Sequence, residues 1–115
     1  MRSVLQALIE NATVTHTRDS VGLRVDPYIL RAAEMMPFER VQLINGRETF
    51  ETWIEPGVEG SGEVHVHTGA RQGDVVTIIA FTQLHEGQTL AHKPKFVTLD
   101  ANNKVVRVVE CKDRL

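Results

Sequence analysis

The stretch "VDPYILRAAEMMPFERVQLINGRETFETWI", residues 25–54, contains the clearest helix signal in the sequence, followed by a pair of strands. Asp26 is a residue type that caps helix N-termini, and Pro27 follows at the first helical position, where its missing N–H costs nothing. The pattern predicts a helix over residues 26–36 that is ended by Pro37. The apolar face of this helix is predicted to consist of Ile29, Leu30, Ala33 and Met36.

The second half of the stretch predicts a β-hairpin. In "ERVQLIN", residues 39–45, apolar and polar residues alternate with the period of a half-buried strand. The buried face of this strand is predicted to hold Val41 and Leu43. Asn45-Gly46 is a strong signal for a tight turn, and "TFETWI", residues 49–54, is predicted to be the returning strand.

Further segments on both sides of this hairpin have the β-branched and apolar composition of strands. They are "SVLQALIENATVTHT" (3–17, one long or broken strand), "GLRV" (22–25), "EVHVH" (63–67), "VVTIIAF" (75–81), "KFVTL" (95–99) and "KVVRVV" (104–109). The continuous apolar run 75–81 belongs in the middle of a sheet. The polar segment 82–94 is a candidate for a short helix, and "DANN" (100–103) marks a last hairpin. We therefore predict a mainly β fold of six to eight short strands and one or two short helices, most simply a small barrel.

Composition narrows the classes of function. The chain has 115 residues, of which 42% are hydrophobic and 24% charged, so we expect one globular domain over residues 1–115. A net charge of −2 gives no reason to expect nucleic acid as a partner. We expect neither a membrane span nor a signal peptide, because no segment has the apolar run that either requires. The one cysteine, Cys111, cannot form an internal disulfide, which favours a cytoplasmic protein.

The order of these motifs resembles the aspartate 1-decarboxylase family, the small pyruvoyl enzymes that make β-alanine for pantothenate. The motifs that carry the resemblance are "VTHTRD" (14–19), "VDPYILRAAEMMPFERVQLIN" (25–45), "NGRETFETWI" (45–54), "GSGEVHV" (60–66), "GA" (69–70), "GDVVTIIAF" (73–81) and "KPKFVTLD" (93–100). No single motif is specific, but together they span nearly the whole chain. The resemblance implies a double-psi β-barrel and a homotetramer with active sites between neighbouring subunits.

The family makes its cofactor from an internal Gly-Ser sequence. The serine hydroxyl attacks the preceding carbonyl, the resulting ester eliminates, and a pyruvoyl group remains that forms a Schiff base with aspartate. In the alignment that the motifs imply, Val21-Gly22 stands in place of Gly-Ser, and glycine has no hydroxyl. An atypical cleavage before Ser20, between Asp19 and Ser20, is the alternative. We therefore predict no pyruvoyl group and no other cofactor.

Other positions also depart from the family. Its lysine and histidine in the first strand are matched by Leu8 and Glu10, and its substrate-carboxylate arginine is matched by Thr49, with Arg47 nearby. The family's threonine is retained as Thr52. The tyrosine that serves as proton donor is replaced by Trp53, whose indole N–H donates a hydrogen bond but is not a useful acid. The family's Asn-Gly-Ala-Ala loop is shortened to Thr68, Gly69 and Ala70.

Histidines supply the remaining candidates for chemistry. His65 and His67 lie two residues apart on a predicted strand and so share a face, where they could line a pocket, face solvent, or begin a metal site. A metal would need a third ligand, which His16, Glu63 or Glu10 would have to supply, and we predict no metal site. His16, Arg18 and Asp19 precede the missing cleavage point and are candidates for anion binding or acid–base work, or form an ordinary polar loop.

Three functions remain open from the sequence. The first is a repurposed barrel that binds a small amino-acid or carboxylate-like molecule at a subunit interface and performs acid–base lyase or isomerase chemistry. Its predicted catalytic residues are His16, Arg47, Thr52 and His67, and its predicted substrate-binding residues are Arg18, Trp53, His65, Thr68, Gly69 and Ala70. The second is a non-catalytic protein that binds a metabolite or a partner. The third is a genuine aspartate 1-decarboxylase that cleaves before Ser20.

Overall fold

The computed structural model describes residues 1–85, 87 and 92–110 and consists mainly of β-strands. The strands are β1 (Arg2–Thr13), β2 (His16–Thr17), β3 (Leu23–Val25), β4 (Arg40–Asn45), β5 (Glu48–Pro56), β6 (Val64–Val66), β7 (Val75–Leu84), β8 (Lys95–Leu99) and β9 (Val105–Glu110), and the helix is α1 (Pro27–Ala33). The strands form one sheet in the order β2-β6-β3-β5-β4-β7-β1-β8-β9. The sheet curls into a half-barrel, which is consistent with the predicted small double-psi β-barrel.

The described residues form nine strands, more than the six to eight that the sequence predicted. The difference arises in the first predicted segment, which divides into β1 and the two-residue β2. At the break, Val14 is buried, and the backbone N–H of Thr15 donates to the carbonyl of Val64 at 2.9 Å. The chain therefore leaves one side of the sheet at Val14 and joins β6 on the other.

The core lies against the middle of the sheet. β7 pairs antiparallel with both β1 and β4, so the apolar run predicted to be central has a strand on each side. Ile78 of β7 and Ile9 of β1 are fully buried. Val41 and Leu43 of β4 are also buried, which confirms the predicted inward face of that strand.

The helix begins where the sequence predicted but ends earlier. The carboxylate of Asp26 accepts a hydrogen bond from the backbone N–H of Tyr28 at 2.9 Å, and Ile29, Leu30 and Ala33 are buried. The prediction that the helix continues to residue 36 is wrong, because Glu34 adopts a left-handed conformation with φ of 56° and ends it. The prediction for Met36 is wrong for the same reason: the turn at Glu34 exposes Met36 and buries Met35.

Both predicted hairpins are present. β4 and β5 pair antiparallel across the turn at Gly46, whose φ is 61°, and β8 and β9 pair across the turn that follows Asp100. The short helix predicted in residues 82–94 cannot be assessed, because residues 86 and 88–91 lie outside the described residues, as does Cys111. No helix in the described part of the chain is long and apolar enough to cross a membrane.

Asp26 and Asn103 attach the loop before β6 to the rest of the molecule. Besides capping α1, the Asp26 carboxylate accepts hydrogen bonds from the N–H groups of Gly60 and Gly62, each at 2.9 Å. Asn103 donates to the carbonyls of Gly62 and Thr13 at 2.7 and 2.8 Å. The start of β6 is thereby fixed relative to α1 and β1, and β6 carries one candidate histidine, His65, and is followed at once by another, His67.

Candidate functional site

Four short strands bring charged side chains from distant parts of the sequence onto one face of the sheet. In the parallel pair β2–β6, His16 lies opposite His65, and in the antiparallel pair β3–β6, Arg24 also lies opposite His65. Arg24 in turn lies opposite Glu55 in the parallel pair β3–β5. Because directly opposed residues share a face, this region is a continuous polar surface of arginine, glutamate and histidine.

Arg18, Trp53 and Glu55 form a hydrogen-bonded group, which we call the Glu55 cluster. Nη2 of Arg18 donates to one carboxylate oxygen of Glu55 at 3.1 Å, and Nε1 of Trp53 donates to the other at 3.2 Å. The Arg18 and Glu55 side chains are only 13% and 24% exposed. Burial alone would raise the pKa of Glu55, but the hydrogen bonds from Arg18 and Trp53 and the charges of Arg18 and Arg24 outweigh it, so the pKa is lowered. Glu55 is therefore ionised at neutral pH.

Gly22 lies directly against this cluster. It is buried, and its φ of +113° is a conformation that residues with side chains rarely adopt. A β-carbon built on Gly22 would lie 2.5 Å from Oε2 of Glu55 and 3.1 Å from Nε1 of Trp53. Since β-carbons do not approach other atoms within 3.0 Å, the Glu55 carboxylate occupies the space into which a side chain at residue 22 would project.

The rings of His16 and His65 lie close together, tilted by 43°, at the edge of the same face. Their ring centroids lie 4.4 Å apart, and Nε2 of His65 lies 4.0 Å from a carboxylate oxygen of Glu63. Burial lowers the pKa of His65, and the positive charges of Arg24 and Arg18 add to the lowering, while Glu63 opposes it. His65 is therefore neutral at neutral pH.

His67, Thr52 and Thr68 surround a separate small cavity next to Gly22. The cavity has a volume of about 40 Å³ and is also lined by Phe50. Nδ1 of His67 lies 3.1 Å from the carbonyl oxygen of Arg18. Since a carbonyl oxygen can only accept, Nδ1 carries the proton, and Nε2 of a neutral His67 holds the lone pair. The volume is far below the roughly 300–1,000 Å³ of ordinary ligand pockets.

Gly69 and Ala70 pack against the rest of the protein and have a structural role. Gly69 has φ of +94°, and a β-carbon there would collide with the ring of Phe50. The carbonyl of Gly69 accepts a hydrogen bond from the Asn45 side chain at 3.0 Å, and Ala70 packs against the core. These residues place Thr68 at the cavity.

The structure does not bring every predicted site residue to this region. Arg47 is exposed in the turn between β4 and β5, six residues before Trp53, which is about 20 Å along an extended strand. Asp19 and Ser20 are exposed in the bend between β2 and β3. Among the described residues, no group of three or more His, Cys, Asp or Glu side chains is arranged to hold a metal ion.

Sequence reasoning missed Glu55 and Arg24, and considered Glu63 only as a third metal ligand. A signal for Glu55 was present, because it lies two residues after Trp53 and therefore shares its face of β5. Nothing in the sequence indicated that Arg18, 37 residues away, would pair with it.

Comparison with known proteins gives a consistent assignment. A family model described as "Aspartate decarboxylase" matches residues 1–106. The chain is 38% identical to the aspartate 1-decarboxylase of Neisseria meningitidis serogroup C, over 94% of this chain and 91% of that protein. It is 34% identical to the aspartate 1-decarboxylase of Listeria monocytogenes over the same shares, and 31% identical to that of Staphylococcus epidermidis over 98% and 94%. The chain therefore belongs to the aspartate decarboxylase family.

Proposed function

We propose that this chain is a family member that does not process itself, remains intact, and binds a small carboxylate-containing molecule beside Gly22. The observation that carries the proposal is residue 22 itself. The resemblance matches it to the family's serine, yet it is a buried glycine with φ of +113° and no hydroxyl. A pyruvoyl group requires that hydroxyl, so the residues present at this position do not fit the group, and the function proposed here uses no pyruvoyl chemistry.

Arg18 supports a carboxylate as the ligand. One of its terminal nitrogens, Nη2, is bonded to Glu55, while Nη1 is buried and has no hydrogen-bond partner within residues 1–85, 87 and 92–110. A buried donor without a partner carries a free-energy penalty that an incoming acceptor removes. The free N–H groups of this nitrogen are also suited to bind a carboxylate oxygen.

We propose His67 as the acid–base group for lyase or isomerase chemistry at this site, with the hydroxyls of Thr52 and Thr68 as polar groups around the same cavity. With its proton on Nδ1, the His67 ring has Nε2 as the nitrogen that can take part in proton transfer. The cavity in one protomer is too small to enclose an amino acid. We therefore propose that the bound molecule extends beyond this cavity onto surface that a neighbouring subunit of a homotetramer covers.

The mass of the purified protein under denaturing conditions, before and after prolonged warming, tests the absence of processing. We expect one species near 12.9 kDa in both samples. Two fragments separated before Ser20, the second with a blocked N-terminus, would instead support the alternative function, a genuine aspartate 1-decarboxylase. That candidate is favoured by the names of the relatives, and release of carbon dioxide from aspartate would then be measured directly.

Trp53 provides a test for the ligand, because it is the only tryptophan and it donates to Glu55. Titration with aspartate and with succinate, followed by tryptophan emission, is expected to saturate with the wild-type chain. Arg18→Met keeps an apolar stem of similar length without the guanidinium and is expected to abolish saturation. Equal titration curves for the two proteins would exclude Arg18 as the carboxylate site.

A further inference from the structure

We propose that Glu55 excludes any side chain from residue 22, so that replacing Gly22 by serine is not by itself enough to give this chain a reactive hydroxyl. The exclusion is a property of the Glu55 cluster. The further conclusion, that the side chain excluded at residue 22 is the family's nucleophilic serine, rests on the proposed function.

The first step of the argument is the contact itself. The space in front of the Gly22 α-carbon is occupied by the Glu55 carboxylate, with Oε2 at 2.5 Å and Cδ at 3.1 Å from a β-carbon built there. A serine hydroxyl would lie still farther into the volume that the carboxylate fills. Either the serine or the carboxylate must therefore move.

The second step is that the carboxylate is not free to move. A glutamate carboxylate that faced solvent would change rotamer at little cost. Both carboxylate oxygens of Glu55, however, accept hydrogen bonds, one from Arg18 and one from Trp53. Displacing it leaves the largely buried Arg18 guanidinium without its anion, which is far more costly than losing an exposed ion pair.

The third step is that Arg18 is held as well. Its backbone N–H donates to the carbonyl of Val66 at 3.0 Å, and its own carbonyl lies 3.1 Å from Nδ1 of His67. The arginine thus enters the cluster from a segment fixed on β6, while Glu55 and Trp53 enter from β5. The two strands hold the carboxylate in front of Gly22 from opposite sides.

A double-mutant cycle tests the exclusion. The four proteins are the wild type, Gly22→Ala, Glu55→Ala and the double variant, and the readout is the melting temperature. Gly73→Ala is the matched control, because Gly73 has φ of +93° and no atom within 4 Å of its built β-carbon. It reports the backbone penalty of a positive φ without any collision.

We expect Gly22→Ala to lower the melting temperature by at least about 4 °C more in the wild-type background than in the Glu55→Ala background. In the Glu55→Ala background, its effect should approach that of Gly73→Ala, with a remaining difference from Nε1 of Trp53 at 3.1 Å. A Gly22→Ala protein that folds only when Glu55→Ala is also present supports the proposal as well. Equal losses in both backgrounds, or failure to fold in both, would overturn it, because the obstacle would then not be Glu55.

Cleavage gives a second readout. Val21→Gly/Gly22→Ser restores the Gly-Ser sequence, and we expect it to stay intact on warming while the same pair with Glu55→Ala yields two fragments. Equal cleavage of the two proteins would overturn the exclusion. Fragments from the wild-type chain would contradict the proposed function instead, and the melting cycle would still report on Glu55 independently.

Discussion

At the residue scale, a single carboxylate can fix several parts of the backbone. The Asp26 carboxylate accepts three hydrogen bonds from the backbone N–H groups of Tyr28, Gly60 and Gly62, and the residue is 3% exposed. Burial alone would raise its pKa, but these hydrogen bonds and the charge of Lys104 outweigh it, so the pKa lies below 3.8. The stability contributed by Asp26 is therefore fully present above that pH and is lost as the pH falls below it.

Replacing Asp26 tests this role. We expect Asp26→Ala to lower the free energy of unfolding by about 3 kcal/mol, because the helix cap and two loop N–H groups lose their acceptor. Asp26→Asn keeps one acceptor oxygen and is expected to cost less. Urea denaturation at neutral pH measures both, and equal stabilities for the three proteins would contradict the assignment.

His65 predicts a second, separate dependence on pH. Burial places its folded pKa below the ordinary 6.5, so the unfolded chain binds more protons between the two pKa values. The free energy of unfolding is therefore expected to fall as the pH decreases through 6.5. His65→Gln removes the titrating group and should flatten this part of the profile.

Urea denaturation of the wild type and His65→Gln at several pH values from about 5 to about 8 measures the effect, since the ordinary histidine pKa of the unfolded chain lies inside that range. At the upper end of this pH range, the difference in free energy of unfolding between the wild type and His65→Gln should not change with pH. Identical slopes on acidification would show that His65 is not responsible.

Turn geometry decides which side chains are buried at the element scale. The left-handed Glu34 ends α1 and directs Met35, not Met36, into the core. We expect Met35→Ala to cost about 2–4 kcal/mol and Met36→Ala less than about 0.5 kcal/mol. Guanidinium denaturation of the matched pair measures the difference, and equal costs would place the end of the helix elsewhere.

Local patterns in the sequence predicted most of the helices and strands. They could not predict features that depend on residues far apart in the chain. The Asp26-Pro27 start of the helix and the Val41 and Leu43 alternation are set by residues close in sequence, and both were predicted. The early end of α1 was not, because no glycine marks it and Glu34 adopts positive φ. The Glu55 cluster joins strands far apart in the chain, which no local pattern encodes.

Large apolar side chains remain exposed beside the site at the scale of the whole molecule. Phe38 and Trp53 are 75% and 39% exposed, and both line the same hollow. Side chains of this size at the surface of a protomer are typical of contacts between subunits. This agrees with the homotetramer that we propose.

Light scattering coupled to size-exclusion chromatography tests the assembly. We expect a particle of about four times 12.9 kDa for the wild type, and a smaller one for Phe38→Glu, because burial of a carboxylate in an apolar contact is costly. Val58→Glu is the control, since Val58 is 65% exposed in the loop after β5. A monomeric wild type would refute the tetramer.

The pairing of the chain on either side of the Arg18–Gly22 bend has a practical consequence. β1 pairs with β7 along most of its length and with β8 over residues 7–10, while β2 pairs with β6, and β3 with β5 and β6. If the backbone were cleaved anywhere in the bend, both fragments would remain part of the same sheet, held by hydrogen bonds and core packing. Nicked and intact protein would then elute together in size-exclusion chromatography under native conditions. Only a separation under denaturing conditions would distinguish them.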